Sequence, residues 1–118
     1  IGTPTPSSRL HVMGQISTNT GTASAPSYSF ASDLDTGLFG SGDTLQFATG
    51  GTERLRIDSS GNVGINSTTD FGSGAGVIGL KNATTNPSAP ASGYGILYMK
   101  NGELWFQGAS TPTRLAVA

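Results

Sequence analysis

The chain has 118 residues, with six Lys or Arg, seven Asp or Glu, one His and no cysteine, for a formal net charge of −1. No cysteine excludes disulfides and Cys-ligated metals, and a sparse, balanced charge lacks the basic field that a nucleic-acid partner exchanges for phosphate counterions. Apolar stretches of only a few residues fall far short of the roughly 20 that cross a bilayer as a helix. Gly takes 18 positions, and the large apolar side chains make up only about a quarter of the chain, thin against ordinary globular usage. Ordering such a chain costs roughly 1–2 kcal/mol per residue, so faces buried between identical chains are the expected remedy. Disorder is the weaker reading, since it ordinarily comes with high net charge and few aromatics.

In chain order, alternation replaces helical spacing throughout. No window of ten or more residues places apolar side chains three and four apart, and Gly, Ser, Thr and Asn interrupt every candidate helix. Leu10 and Val12 share one face of a first strand, with His11 opposite. Leu45 and Phe47 mark a strand over 44–49, and Leu55 and Ile57 one over 52–58. Gly50-Gly51 joins the two as a primed turn. Ser59-Ser60-Gly61 leads to a strand over 62–66. Phe71 to Gly76 reads as a loop, and Asn82 to Gly93, rich in Pro, Ser and Ala, as a connector. Asn101-Gly102 then joins strands over 94–100 and 103–107, and Leu115 with Val117 closes the pattern.

Laid together, the two hairpin regions echo each other about 60 residues apart. Thr36-Gly37-Leu38-Phe39, Leu45-Gln46-Phe47 and Arg54-Leu55-Arg56-Ile57 return as Tyr94-Gly95-Ile96-Leu97, Leu104-Trp105-Phe106 and Arg114-Leu115-Ala116-Val117. The chain therefore divides into a repeat module over 1–66, a Gly/Pro/Ser-rich connector over 67–93 and a C-terminal hairpin module over 94–118. The expected fold is all-β: short antiparallel hairpins in meander modules, elongated and stacked or intertwined between identical chains.

Motifs for chemistry are weak. His11 is the only histidine, so a Ser-His-Asp or zinc site within one chain has almost nothing to work with. Three copies could bring three imidazoles to a trimer axis, but the alternating histidines such an arrangement uses are absent, because Met13 stands two places on. Asp33, Asp35 and Gly37 begin like a calcium loop, yet the EF-hand spacing would need an oxygen ligand at 37 and a Glu at 44, where Gly37 and Thr44 stand. A turn in which the Asp side chains accept backbone N–H bonds is the preferred reading. Gly74-Ala75-Gly76-Val77-Ile78-Gly79 fits the dinucleotide fingerprint in letters, but no strand-helix-strand unit surrounds it. Asn66-Ser67-Thr68 and Asn82-Ala83-Thr84 match the glycosylation acceptor as chance does in a Ser/Thr-rich chain. Scattered carboxylates offer no facing pair for glycoside hydrolysis. No catalytic, cofactor or metal residues are assigned. Tyr94, Tyr98 and Trp105 are the candidate ligand contacts, because aromatic faces can stack on sugar rings. Trp105 must point opposite Leu104 and Phe106, so one face of that strand is either a subunit interface or an exposed platform.

Several stretches resemble a known family. Ser24-Ala25-Pro26-Ser27-Tyr28-Ser29-Phe30, Asp33-Leu34-Asp35-Thr36-Gly37, and Gly50-Gly51-Thr52-Glu53-Arg54 through Asn62-Val63-Gly64-Ile65 resemble the repeat of fibre and other virion structural proteins of tailed bacteriophages. Ile1 to Val12 resembles the closing words of the same repeat, and Gly95 to Phe106 with Arg114 to Ala118 the closing module of such proteins. The resemblance covers about two thirds of the chain, residues 67–88 standing outside it. It implies a non-catalytic part of the virion surface, a tail fibre, spike or capsid-decorating fibre built as an elongated homotrimer stacked along a threefold, whose partners are its own copies, other virion proteins and in some cases host surface polysaccharide. It also implies that polypeptide precedes Ile1 and that Ala118 ends the protein. The alternatives are a receptor-binding module for host glycan and a subunit of a bacterial extracellular filament.

Overall fold

A computed structural model describes residues 10–68 and 71–116. Among them the chain forms nine strands and no helix, arranged as two sheets. The first holds β1 (Tyr28–Phe30), β2 (Asp33–Ser41), β3 (Thr44–Thr49), β4 (Thr52–Ile57), β5 (Val63–Ile65) and β6 (Ile78–Leu80), side by side in chain order. The second holds β7 (Ile96–Lys100), β8 (Glu103–Gln107) and β9 (Thr113–Ala116), also in chain order. Nearest-neighbour pairing of this kind is what short, two-residue connections permit.

The turns work as their residues require. Gly50 and Gly51 both take positive φ, 55° and 69°, and Asn101-Gly102 does the same at 53° and 77°. Two successive left-handed residues give the twist that lets flanking strands pair without splaying. The register is set accordingly: Thr49 pairs with Thr52, and Lys100 with Glu103.

Some sequence expectations need correction. Leu10 to Val12 is not part of a strand, so His11 does not alternate with its neighbours as a strand residue would. The pattern is not purely antiparallel either, because β6 pairs with β5 in parallel, Val63 opposite Ile78 and Ile65 opposite Leu80. Residues 78–80, expected in the connector, thus extend the first sheet beyond residue 66. Asp33 and Asp35 lie at the start of β2 and not in an isolated turn. Val117 and Ala118, expected at the end of the last strand, lie outside the described residues, as do Ile1 to Arg9.

A parallel pair needs a crossover, and Asn62 organises this one. Asp58 turns the chain after β4 by accepting the Ser60 and Asn62 backbone N–H groups, both at 2.9 Å. The Asn62 side chain, 2% exposed, donates through Nδ2 to Asp58 Oδ2 at 3.0 Å and to the Gly74 carbonyl at 2.9 Å. Its Oδ1 accepts the Val77 N–H at 3.0 Å. Both donor hydrogens of the amide and one acceptor site on its oxygen are thereby used, so neither polar end is buried without a partner. Gly76 N–H to Ser60 O and Val63 N–H to Val77 O complete the clasp and deliver Ile78 into the sheet. Asp58 accordingly titrates below the usual carboxylate range, first because of the Asn62 side chain and then because of backbone N–H donors.

From β6 the chain passes directly to the second sheet. Lys81 N–H still donates to Ile65 O, while Asn82 bridges Met99 of β7 in parallel and its Oδ1 accepts the Gly102 N–H at 3.0 Å. The molecule is drawn out, 59 × 37 × 23 Å, with a radius of gyration of 18.7 Å against roughly 13–14 Å for a compact chain of this length.

Candidate functional site: two sheets with their apolar faces open

Residues directly opposite across a sheet share a face, so the registers sort every side chain. In the first sheet Tyr28, Leu38, Phe47, Leu55, Ile65 and Leu80 form one continuous row across all six strands. Leu45, Ile57, Val63 and Ile78 form a second row beside it. Neither row carries a carboxylate, ammonium or guanidinium group.

The apolar face is nevertheless the open one. Phe47 and Leu38 are each 37% exposed, Leu45 44% and Ile78 70%. The buried face holds Gln46 and Ala48 with Phe39, together with the Glu53–Arg56 ion pair at 2.6 Å. Gln46 Nε2 donates to Glu53 Oε2 at 3.0 Å, and Arg56 Nη2 does so at 2.9 Å. A bulge after Phe47 places Glu53 and Arg56 together on this face although they are three residues apart. The loop after β5 closes over it: a side chain at Gly64 would run into the Ser67 carbonyl and Phe71.

The second sheet repeats the arrangement. Leu97 opposite Phe106, and Met99 opposite Leu104, make an apolar face on which Leu97 is 55% and Phe106 40% exposed. Tyr98, Trp105, Gln107, Lys100 and Glu103 take the other side, where Tyr98 and Gln107 are buried. Lys100 Nζ stands 5.2 Å from the Trp105 ring centroid, a cation–π contact, and Arg114 Nη1 donates to Glu103 Oε1 at 3.0 Å. The face of the Trp105 strand left open is therefore that of Leu104 and Phe106.

The candidate ligand contacts are dispersed. Tyr98 and Trp105 stand opposite each other across β7 and β8, the first buried and the second half-buried, whereas Tyr94 lies ahead of β7 and is 73% exposed. Asp33 and Asp35 titrate in opposite directions from the usual carboxylate value. Asp33 is held below the usual carboxylate range, first by the Thr36 hydroxyl, while Asp35 is raised, first by the neighbouring Asp33 carboxyl. Among the described residues no three His, Cys, Asp or Glu side chains group as a metal site would. No helix among them is long and apolar enough to cross a membrane.

Sequence reasoning identified the alternation but not which side would be covered. The signal was present in the opposed pairs Leu38–Phe47 and Leu97–Phe106, whose partners on the other face are Gln, Glu, Arg and Trp. Comparison with protein-family models, curated proteins and solved structures finds no match for this chain.

Proposed function

We propose that the chain is a structural, non-catalytic segment of a tailed-bacteriophage virion, a tail fibre, spike or capsid-decorating fibre, and that it works as a homotrimer. The observation that carries this reading is the inversion of both sheets: Gln46, Gln107 and the Glu53–Arg56 pair are covered within the chain, and an apolar face whose rows carry no charge is left open. A sheet in water ordinarily turns its apolar side to the core. A face of this size left uncovered marks an interaction surface. The drawn-out shape and the resemblance of residues 24–65 to the phage repeat point the same way.

Immunogold labelling of intact virions with an antibody to the purified chain tests the proposal. Label at discrete positions on particles is the expected result. Filaments of indefinite length would instead identify a bacterial polymer, and no label on particles would overturn the reading.

A second reading, a module that grips host surface polysaccharide, is favoured by one observation, the high exposure of Tyr94. Adsorption of the chain to host cells that is lost in Tyr94→Ala would select it.

A further inference from the structure

We infer that the open apolar faces of both sheets form one interface with further copies of this chain, made once through Phe47 and its row and again through Leu97 and Phe106. The inference rests on the structural reading above and adds to it the surface that joins the copies and the fact that each chain contributes it twice.

The accessible surface of the single chain is 8264 Å², whereas a compact monomer of this mass exposes roughly 6,000 Å². The excess, on the order of 2,000 Å² per chain, matches what obligate oligomers bury. Part of it lies on the rows, where the side chains are Leu, Ile, Val, Phe and Tyr, the composition of an interface core.

The occupant is identified by the chemistry of the face. Its two rows contain no charge, the one guanidinium beside them, Arg54, is turned to Thr49 Oγ1 at 3.1 Å, and the chain as a whole is within one charge of neutrality, so identical copies meet with little like-charge repulsion. A foreign acidic partner would find only Arg54 beside the rows, already hydrogen-bonded to Thr49, and a basic one no complementary group on them. A flat run of alternating large aliphatic and aromatic side chains can interdigitate with itself as two faces of a sandwich do. The second sheet strengthens the case. Leu38 opposite Phe47 and Leu97 opposite Phe106 occupy equivalent places in their hairpins, so a contact that suits one suits the other.

The chain has no native cysteine, which makes a thiol-protection experiment clean. Phe47→Cys, Ile65→Cys and Phe106→Cys place a thiol on the inferred interface, and Ser29→Cys places one on the opposite, exposed side of β1. The purified full chain alone is alkylated with iodoacetamide over a dilution series, with sedimentation velocity and circular dichroism run in parallel. At high concentration the three interface thiols should react about tenfold more slowly than Cys at 29, as for a face open about a tenth of the time. Protection should vanish on dilution together with the oligomer. Interface thiols that react as fast as the control in a folded oligomer would overturn the inference while leaving the virion reading intact. Protection that persists in a folded monomer would also overturn it. Because Ile65 and Phe106 lie on different strands from Phe47, misfolding of one variant, visible by circular dichroism, leaves the others to decide. Virion labelling that fails while protection holds would sink the virion reading alone.

Discussion

The β2–β3 and β7–β8 hairpins differ little in themselves and greatly in the connections that lead away from them. Their registers repeat at a constant step of 59 residues, from Leu38 to Leu97 and from Phe47 to Phe106, and each is closed by two residues. After β3, however, Gly50-Gly51 returns the chain at once, and the Asn62 clasp adds β5 and β6. After β8 a longer link, residues 108–112, leads to β9, and the sheet stops at three strands. A hairpin's register is thus set by its own alternation and turn, whereas the width of the sheet is set by the connections. The same place in the two hairpins also carries Gln46 and Trp105, and each keeps one buried polar atom, Oε1 and Nε1, without a hydrogen-bond partner among the described residues.

The sharpest way to break the comparison is Asn62→Ala. It leaves the Gly74 carbonyl and the Val77 N–H without the partner that satisfied them, each such loss costing about 1–3 kcal/mol, and removes the side-chain donor to Asp58. A loss of about 3 kcal/mol is expected in denaturant melts, with faster amide exchange at Val63 and Val77. Exchange in β7 and β8 should be unchanged. An equal loss of protection in both sheets would show that the clasp is not what distinguishes them.

The next prediction tests a feature the two sheets share, a two-residue turn with positive φ, at β3–β4 in the first and β7–β8 in the second. Gly51→Val and Gly102→Val each place a β-branched residue at positive φ, a strain of roughly 1–3 kcal/mol. Thermal midpoints should fall by similar amounts in the two variants. A midpoint unmoved in either would show that its turn does not need the left-handed conformation.

The smallest effect is on acid stability. Because Asp58 has a depressed folded pKa, its contribution is fully present above the ordinary carboxylate value of 3.8 and is lost as pH falls below it. Asp35 has the opposite sign, since its raised pKa favours the protonated folded state, and it partly offsets Asp33. Asp58→Asn should therefore flatten the fall of the melting midpoint below about pH 4 without changing the second sheet. An unchanged acid limb would remove Asp58 from that account.

Most of the strand pattern was legible because it depends on local chemistry. Leu45-Gln46-Phe47-Ala48-Thr49 alternates, Gly50-Gly51 and Asn101-Gly102 supply positive φ, and the strands at 44–49 and 103–107 have the expected bounds. Strand β6 was not legible, since Ile78-Gly79-Leu80 is short, glycine-centred and joined to its neighbour by Asn62, fifteen residues before Val77. Nor does Leu10-His11-Val12 fulfil its alternation. A three-residue pattern is a strand only where a neighbour accepts its backbone hydrogen bonds. The open face at Phe47 and Phe106 was hidden for another reason: alternation shows that two faces differ but not which one the rest of the molecule covers.

Sedimentation equilibrium of the purified chain over a micromolar dilution series, with far-ultraviolet circular dichroism on the same samples, tests the central claim most directly. The inverted sheets predict a trimer whose strand signal is lost as it dissociates, because the apolar rows through Phe47 and Phe106 are then returned to water. A monomer that keeps its full strand signal at micromolar concentration would contradict the account.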